Sequence, residues 1–509
     1  MIVPGYDRDD AQVGIVHFGV GAFHRAHQAL YLDDVLAAGT TDWGICGVGV
    51  LPHDRKIADV LHAQDDLYTL ITVAPDDTTT VRVVGSHLLH LHAPDDPQAV
   101  LNVLSDPATR IVSLTITEGG YSIDDATGAF EPTDPQTLTD IQRLDLHPGG
   151  PAADSPPGAL PGSVLGFVVA ALAARRTAAA PAFSVMSCDN IEHNGRVARA
   201  AVTGFARRLD PDLADWIEEH VAFPSSMVDR ITPATTPAVV AAAAAYGVAD
   251  AWPVRSESFI QWVLEDTFSA GRPPLDGVGV QLVDDVTPYE LMKLRLLNAS
   301  HQVMSYLGIL AGYRYVHDVC RDPDFTRFLL DYMHQEAIPT LDPVPGIDLD
   351  AYCAQLIARF SSDAIADTLA RQTVDASDRI PKFVLPVLRA QLDRGGEIHR
   401  ATLALAAWSL YLDPASTHEV PGARDSSAGE TSSGEADAPP TPVDRRLATL
   451  TAAAAAERER PGSFLDQSGV FGVLAREPRL QSAFADARTQ LLDSGSRVAV
   501  NACTRKDPS

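Results

Sequence analysis

The sequence predicts an α/β domain followed by a mostly α-helical one, on three observations. A short apolar run of strand type, Val13–Phe18, leads at once into Gly19-Val-Gly-Ala-Phe-His24 and then into a helical pattern from about Arg25 to Leu36. Further strand-like runs recur up to about residue 283. From 286 onward the apolar residues keep helical spacing with almost no strand signal. Strand, glycine turn and helix in succession are the context of a dinucleotide fingerprint, so the first half is expected to be of Rossmann type. These patterns divide the chain into a Rossmann-type dinucleotide-binding domain, 1–285, and a mostly helical substrate domain, 286–509.

In the glycine turn, Gly19 is expected to make the tight bend and Gly21 to let the backbone approach a pyrophosphate. His24 stands where a third glycine would be, so taken alone the pattern also fits a plain tight turn. A second strand, Ile45–Val50, ends at Leu51-Pro-His-Asp54. An acidic residue past the second strand binds the adenosine ribose, and its charge favours NAD over the 2′-phosphorylated form. Asp54 lies 35 residues after Gly19 (54 − 19), further than the usual spacing of about 20. Arg55 and Lys56 beside it are cations that could accept a phosphate.

Leu67–Val73 and Thr80–Val84 alternate around a polar turn and read as a hairpin. Ile111–Ile116 runs into Thr117-Glu-Gly-Gly-Tyr121, and Phe183–Ser187 into Cys188-Asp-Asn190. Ligands of open α/β sheets sit outside the carboxyl ends of strands, which places Glu118 and Asn190 to face a cofactor. For Asn190 a turn role is the plainer reading. Residues 132–163, rich in Pro, Gly and Asp, read as a long surface loop. Ala200–Arg207 and Ala238–Tyr246 read as alanine-rich helices, and Asp229 and Arg230 between them sit beside apolar neighbours.

The stretch from Val286 to His301 starts a long helix, with Thr287 as cap and Pro288 at its first position. At about 100° per residue, Lys293, Asn298 and His301 fall within an arc of roughly 140°, with Glu290 one turn earlier. A polar face of this kind is either solvated or a partly buried cluster around a substrate. Asn and His are weak helix formers, which favours the second, and a desolvated lysine can serve as general base. Further helical patterns fall at 323–336, 349–373, 383–394, 398–411, 444–457 and 475–493. Residues 413–443 are rich in Ser, Pro, Gly and acidic residues, a composition expected to be a disordered insertion.

A net charge of −28 argues against nucleic acid and anionic membrane as partners. The five cysteines are scattered without a C-x-x-C pair, which fits a reducing cytoplasm and encodes neither a disulfide framework nor a cysteine zinc site. The N-terminus carries no signal-peptide pattern, and the most apolar stretch, 165–182, is broken by Arg175 and Arg176, so no membrane span is expected. No zinc ligand set is visible. Tyr289 and Lys293 have the spacing used by short-chain dehydrogenases, but the glycine pattern of those enzymes is absent.

Five motifs occur in one order: Gly19-Val-Gly-Ala-Phe-His-Arg-Ala-His27, Thr115-Ile-Thr-Glu-Gly-Gly-Tyr121, Ser187-Cys-Asp-Asn190, Met227-Val-Asp-Arg-Ile-Thr-Pro233, and Lys293 with Asn298 and His301. Together they resemble the polyol-specific long-chain (mannitol) dehydrogenase family, from about residue 12 to 412 and again from about 444. The acidic insertion departs from the family pattern. The resemblance implies metal-independent, NAD-dependent interconversion of D-mannitol or related polyols with D-fructose or related ketoses. It implies Lys293 as general acid/base, Asn190 and Asn298 as donors to the reacting oxygen, and His301 orienting that oxygen. Glu290 and Glu118 would line a proton relay, and Asp229, Arg371 and Arg379 would contact outer hydroxyls. The family carries a lysine where Arg379 stands. Gly19, Gly21, Ala22, Phe23, His24, Arg25 and Asp54 would hold the cofactor. A monomer is a further implication. Reduction of D-fructuronate is the alternative within the family, kept open by Arg371, Arg379 and Lys382. A silent NAD-binding sensor is the alternative outside catalysis, but it has no need of the Lys293, Asn298 and His301 set.

Overall fold

The computed structural model describes residues 1–124, 127–144, 160–364, 366–413, 415 and 439–505. The chain forms two compact units, Met1–Thr287 and Pro288–Ser509. Among the described residues the first contains eleven strands: β1 Val13–Phe18, β2 Gly44–Gly49, β3 Tyr68–Val73, β4 Thr79–Val84, β5 His87–His92, β6 Ile111–Leu114, β7 Ser184–Ser187, β8 Ser226–Asp229, β9 Val254–Glu257, β10 Gln261–Glu265 and β11 Gln281–Val283.

Five of them make a sheet in the order β5-β2-β1-β6-β7, every neighbouring pair parallel. Counting only these strands along the chain, the order is 3-2-1-4-5, the Rossmann arrangement with its reversal point between β1 and β6. Phe18 pairs with Val48 on one side and Leu114 on the other, so the carboxyl ends of β2, β1 and β6 are level. Side chains alternate along each strand, and both faces are apolar. Val16, Phe18, Val112 and Leu114 pack with Phe167, Val168 and Phe205 from the helices Val164–Thr177 and Asn194–Leu209. Ile15, Ile45 and Ile111 pack on the other face with Ala29, Leu32 and Val35 of the helix Gln28–Ala37. The expected hairpin is β3 against β4, antiparallel from Tyr68↔Val84 to Val73↔Thr79, with β9 added parallel to β3. β8, β10 and β11 form a third small sheet.

Two features differ from the sequence reading. β5, His-Leu-Leu-His-Leu-His, buries all three of its histidines, so an apolar count passes over it. Within 132–163, Pro135–Arg143 is a helix and not loop. Asp134 caps it by accepting from the Thr137 amide at 2.7 Å, and Pro135 occupies its first turn, where no amide donor is needed. Buried Asp140 then accepts from the Ser163 amide and hydroxyl, at 2.8 and 2.6 Å, pinning the return of the chain. Residues 145–159 of the expected loop lie outside the described residues.

In the second unit no strand occurs among the described residues. Two helices are buried nearly all round: every residue of Ala299–Leu310, and Arg400 to Leu412 within His399–Leu412. Trp408 of the latter meets the Phe464 ring edge-on at 4.9 Å. The expected helix 349–373 is interrupted. Leu349–Phe360 ends, and helix resumes only at Leu369–Gln372. Between them the Asp367 carbonyl accepts from Val316 at 2.9 Å and the Leu369 amide donates to Arg314 at 3.0 Å, so the backbone is paired across chain segments. The expected helix 475–493 runs further, from Pro478 to Arg505, with a break at Gly495 (φ 78°). Of the acidic insertion, residues 414 and 416–438 lie outside the described residues. No helix among the described residues is long and apolar enough to cross a membrane.

Candidate active site

At the carboxyl end of β1, Gly19 turns the chain with φ +95°. A Cβ there would sit 2.1 Å from the Thr115 carbonyl oxygen, so only glycine lets the turn close on β6. The Gly21 amide donates back to the Gly19 carbonyl at 2.7 Å, and the short helix Ala22–Ala26 follows. A cleft of about 910 Å³ opens over these strand ends. Gly19, Gly21, Asp54, Thr117 and Gly119 line it, joined by Thr137, Asp140 and Arg143 of the unexpected helix. A dinucleotide fits this donor set and this shape. The backbone can approach a pyrophosphate at Gly19 and Gly21, and a carboxylate stands at the end of the neighbouring strand.

Asp54 accepts from the Leu51 amide at 2.9 Å. The long insertion between Gly19 and Asp54 changes nothing here, because strand pairing, not spacing, brings the ends of β1 and β2 level. The two nearby cations are engaged elsewhere. Arg55 donates to Asp59 at 2.9 Å and to Asp95 at 2.7 Å, and the Lys56 ammonium lies 4.3 Å from the Trp252 ring centre.

Ala22 and Phe23 are half-buried, whereas His24 and Arg25 are buried beneath the turn. His24 stacks on His17 with ring centres 3.4 Å apart and meets Nε2 of His87 at 2.9 Å. Arg25 donates to the Trp252 carbonyl at 2.5 Å. Their side chains therefore support the turn from inside the protein. Burial pushes the His17 imidazole down to about 3 and His90 to about 4, and holds His24 and His87 well below the usual histidine range.

Beyond β6 and β7, Glu118 and Asn190 are both exposed. Asp189, between Cys188 and Asn190, is given no role by the motif it stands in yet organises this region. Its carboxylate accepts from the Ile116 and Thr117 amides, each at 2.9 Å, and from the Tyr121 hydroxyl at 2.7 Å. Asn194 donates to the Asp189 carbonyl at 3.0 Å and to the Ser226 carbonyl at 2.7 Å, tying the Asn190 turn to β8. Asp229 ends β8 and is buried. Arg230 donates to the Glu257 carbonyl and to the Ala26 carbonyl, so it braces the end of the glycine-turn helix.

The helix from Thr287 to Leu310 is α-helical only at its two ends. Its middle turn, Lys293–Asn298, is a π-helix. The cap also differs from expectation: the Asp285 carboxylate accepts from the Thr287 amide at 2.9 Å, so Asp285, not Thr287, supplies the capping oxygen. In a π turn, residues five apart stack, where an α-helix would separate them by about 140°. Lys293 and Asn298 are five apart, so the turn tightens the arc read from the sequence. Glu290, Lys293 and His301 are buried and Asn298 is half-buried. Oδ1 of Asn298 and Nε2 of His301 are buried atoms with no hydrogen-bond partner among the described residues. Burial pushes His301 down to about 4, opposed by Asp367 and aided by Arg371, Arg359 and Arg379. The imidazole is thus neutral at neutral pH. Buried polar atoms left without a protein partner are what a bound hydroxyl would satisfy, donating to Oδ1 of Asn298 or pairing with Nε2 of His301. Arg371 is exposed and held by Asp367, and Arg379 donates to the Gln372 carbonyl at 3.3 Å. Among the described residues no group of His, Cys, Asp or Glu is arranged to hold a metal ion.

Comparison with known proteins matches residues 13–277 to the mannitol dehydrogenase Rossmann domain and 285–492 to the mannitol dehydrogenase C-terminal domain. The mannitol 2-dehydrogenase of Phaeosphaeria nodorum is 44% identical over 415 residues, 81% of this chain and 70% of that protein. The polyol:NADP oxidoreductase of Gluconobacter oxydans is 45% identical over 412 residues, 80% of this chain and 82% of that protein. The structure of Pseudomonas fluorescens mannitol 2-dehydrogenase, a ternary complex with NAD and D-mannitol, superposes with a TM-score of 0.83 at 42% identity, covering 99% of this chain and 97% of that one. With both of its domains matched, the chain belongs to the mannitol dehydrogenase family.

Proposed function

We propose that this protein is an NAD-dependent polyol dehydrogenase that oxidises D-mannitol and related polyols to ketoses such as D-fructose, and reduces them in reverse, with Lys293 as general acid/base. The observation that carries this reading is buried Lys293 and His301 with half-buried Asn298, a group of which two polar atoms have no partner among the described residues, in a chain 42% identical to a protein solved with NAD and D-mannitol. When bound, NAD supplies hydride chemistry at the carbinol carbon.

The chain's own residues handle the proton and the oxygen. A neutral Lys293 amine takes the proton from the reacting hydroxyl in oxidation, and the resulting ammonium returns it in reduction. Asn298 and Asn190 are assigned as donors to the oxygen as charge develops on it. His301, neutral at working pH, orients that oxygen as a hydrogen-bond partner and does not compete for the proton. Glu290 and Glu118 are assigned to a water path between the lysine and solvent, and Asp229, Arg371 and Arg379 to the outer hydroxyls. Asp54 is assigned the ribose hydroxyls. With Arg55 and Lys56 drawn away, the carboxylate favours NAD over NADP by charge repulsion. A cytoplasmic monomer completes the proposal.

One observation favours a second reading, reduction of D-fructuronate: three guanidinium groups act on His301 against one carboxylate. The experiment is NADH consumption by the purified protein with D-fructose and with D-fructuronate in parallel. Preference for D-fructose is expected. Preference for D-fructuronate would replace the substrate assignment, and tight NADH binding without turnover of either would point to a sensor.

A further inference from the structure

Asp367 carries no motif and stands outside every role assigned above, yet its carboxylate holds the arginine proposed to reach the substrate. Arg371 donates to it through Nε at 2.7 Å and through Nη2 at 2.6 Å, a side-on pair using both oxygens. The Gln372 side chain adds a third donor at 2.7 Å. The Gln302 amide in turn donates to the Gln372 carbonyl at 2.9 Å, which links this cluster to the residue following His301. The backbone of Asp367 is itself fixed, because its carbonyl accepts from Val316. The Asp367 side chain is only 9% exposed against 55% for Arg371, so the carboxylate is the fixed member of the pair.

This arrangement bears on which substrates the site accepts. A guanidinium recognises a carboxylate best through a two-pronged edge, with its charge uncompensated. In Arg371 the Nε–Nη2 edge is already occupied by Asp367. What remains at Nη1 and the second Nη2 proton can donate to hydroxyl oxygens, but the charge that would draw a carboxylate is offset. We infer that Asp367 is a specificity-determining residue that positions Arg371 for neutral polyols and ketoses and excludes sugars ending in a carboxylate. The inference rests on the function proposed above, because it takes Arg371 to face the substrate.

The test is Asp367→Asn in the full chain, assayed for NADH consumption with D-fructose and D-fructuronate. Removing the carboxylate takes away the partner that occupies the Nε–Nη2 edge of Arg371. The ratio of kcat/KM for D-fructuronate to that for D-fructose is expected to rise by about tenfold or more, since like-charge juxtaposition of a substrate carboxylate with Asp367 costs that much or more. A purely structural role would lower both substrates in proportion and leave the ratio unchanged, which would overturn the inference. Arg371→Gln, at an exposed side chain, gives the second arm. It leaves Asp367 without its counter-ion, so the ratio should fall below that of the wild type. An unchanged or raised ratio there also overturns the inference, even where Asp367→Asn yields no folded protein. The two readings separate cleanly: wild-type turnover of D-fructose tests the proposed function, and the change in ratio between variants and wild type tests Asp367.

Discussion

The cofactor turn rests on histidines that must stay neutral, which makes it sensitive to acid. His17 is fully buried, with Nδ1 2.8 Å from the Ser113 hydroxyl and Nε2 3.2 Å from the Gly19 carbonyl. The groups around it are His24, stacked on its ring, then His87 and His90, with Arg25 beyond. None supplies a negative charge, so the Gly19 carbonyl only partly offsets the lost hydration of a protonated ring. Burial takes His17 from 6.5 to about 3. A folded value below the unfolded one means the stability is fully present above pH 6.5 and is lost as pH falls toward 3. Between pH 6.5 and 5 the unfolded chain binds the proton and the folded one does not, which costs about 2 kcal/mol at 1.36 kcal/mol per unit. In a unit of this size that corresponds to a fall of about 4 °C in Tm. The assay is thermal unfolding at pH 7 and pH 5 for wild type and His17→Gln, with NADH binding followed in parallel. Glutamine removes the titration but keeps a donor and an acceptor. The wild-type Tm should fall about 4 °C further than that of the variant. Equal falls would refute the reasoning, and other buried groups cancel in this difference.

Two further outcomes are expected. Lys293→Ala should lower turnover of D-mannitol by about 10²–10⁴-fold while leaving the Kd for NADH within about twofold, and a rate within tenfold of wild type would remove Lys293 from the proton step. Gly19→Ala places a Cβ 2.1 Å from the Thr115 carbonyl at φ +95°. The backbone conformation alone costs roughly 1–2 kcal/mol, and the clash forces the turn apart, so NADH affinity should fall at least about tenfold by fluorescence titration. Unchanged affinity would mean the cofactor does not approach this turn.

What could be read from the sequence was local. The glycine turn, the strands ending near Glu118 and Asn190 and the helical second half each announce themselves by period and punctuation within a few residues. What could not be read depended on partners distant in the chain. β5 escapes a pattern count because a histidine such as His87 finds its partners on the glycine-turn helix and at Tyr68 of β3, not in its own stretch. Asp189 is a single acidic residue whose three donors come from 68 to 73 positions away. The helix Pro135–Arg143 is the exception, since Asp134-Pro135 is a start signal in plain view. It was outweighed by the Pro and Gly content around it.

The π turn is the part of the site that no periodicity argument assuming 3.6 residues per turn could supply, and it bears on how a largely buried helix carries Glu290, Lys293, Asn298 and His301. Leu294, Leu296 and Leu297 are buried within that same turn, and Ala299, Val303 and Leu307 continue the apolar surround beyond it. In regular α geometry the Lys293 amine and the Asn298 amide would point about 140° apart, and one of them would enter the apolar core. An unpaired amide there costs on the order of 1–3 kcal/mol, and an ammonium more. The wider π turn brings residues five apart closer to one face than an α-helix would, with His301 one further α turn along. Two other polar side chains of this helix are paired within the second unit: Gln302 donates to the Gln372 carbonyl and Ser305 to the His301 carbonyl. The packing of the second unit and the bringing together of Lys293, Asn298 and His301 are thus served by the same local departure from α-helix.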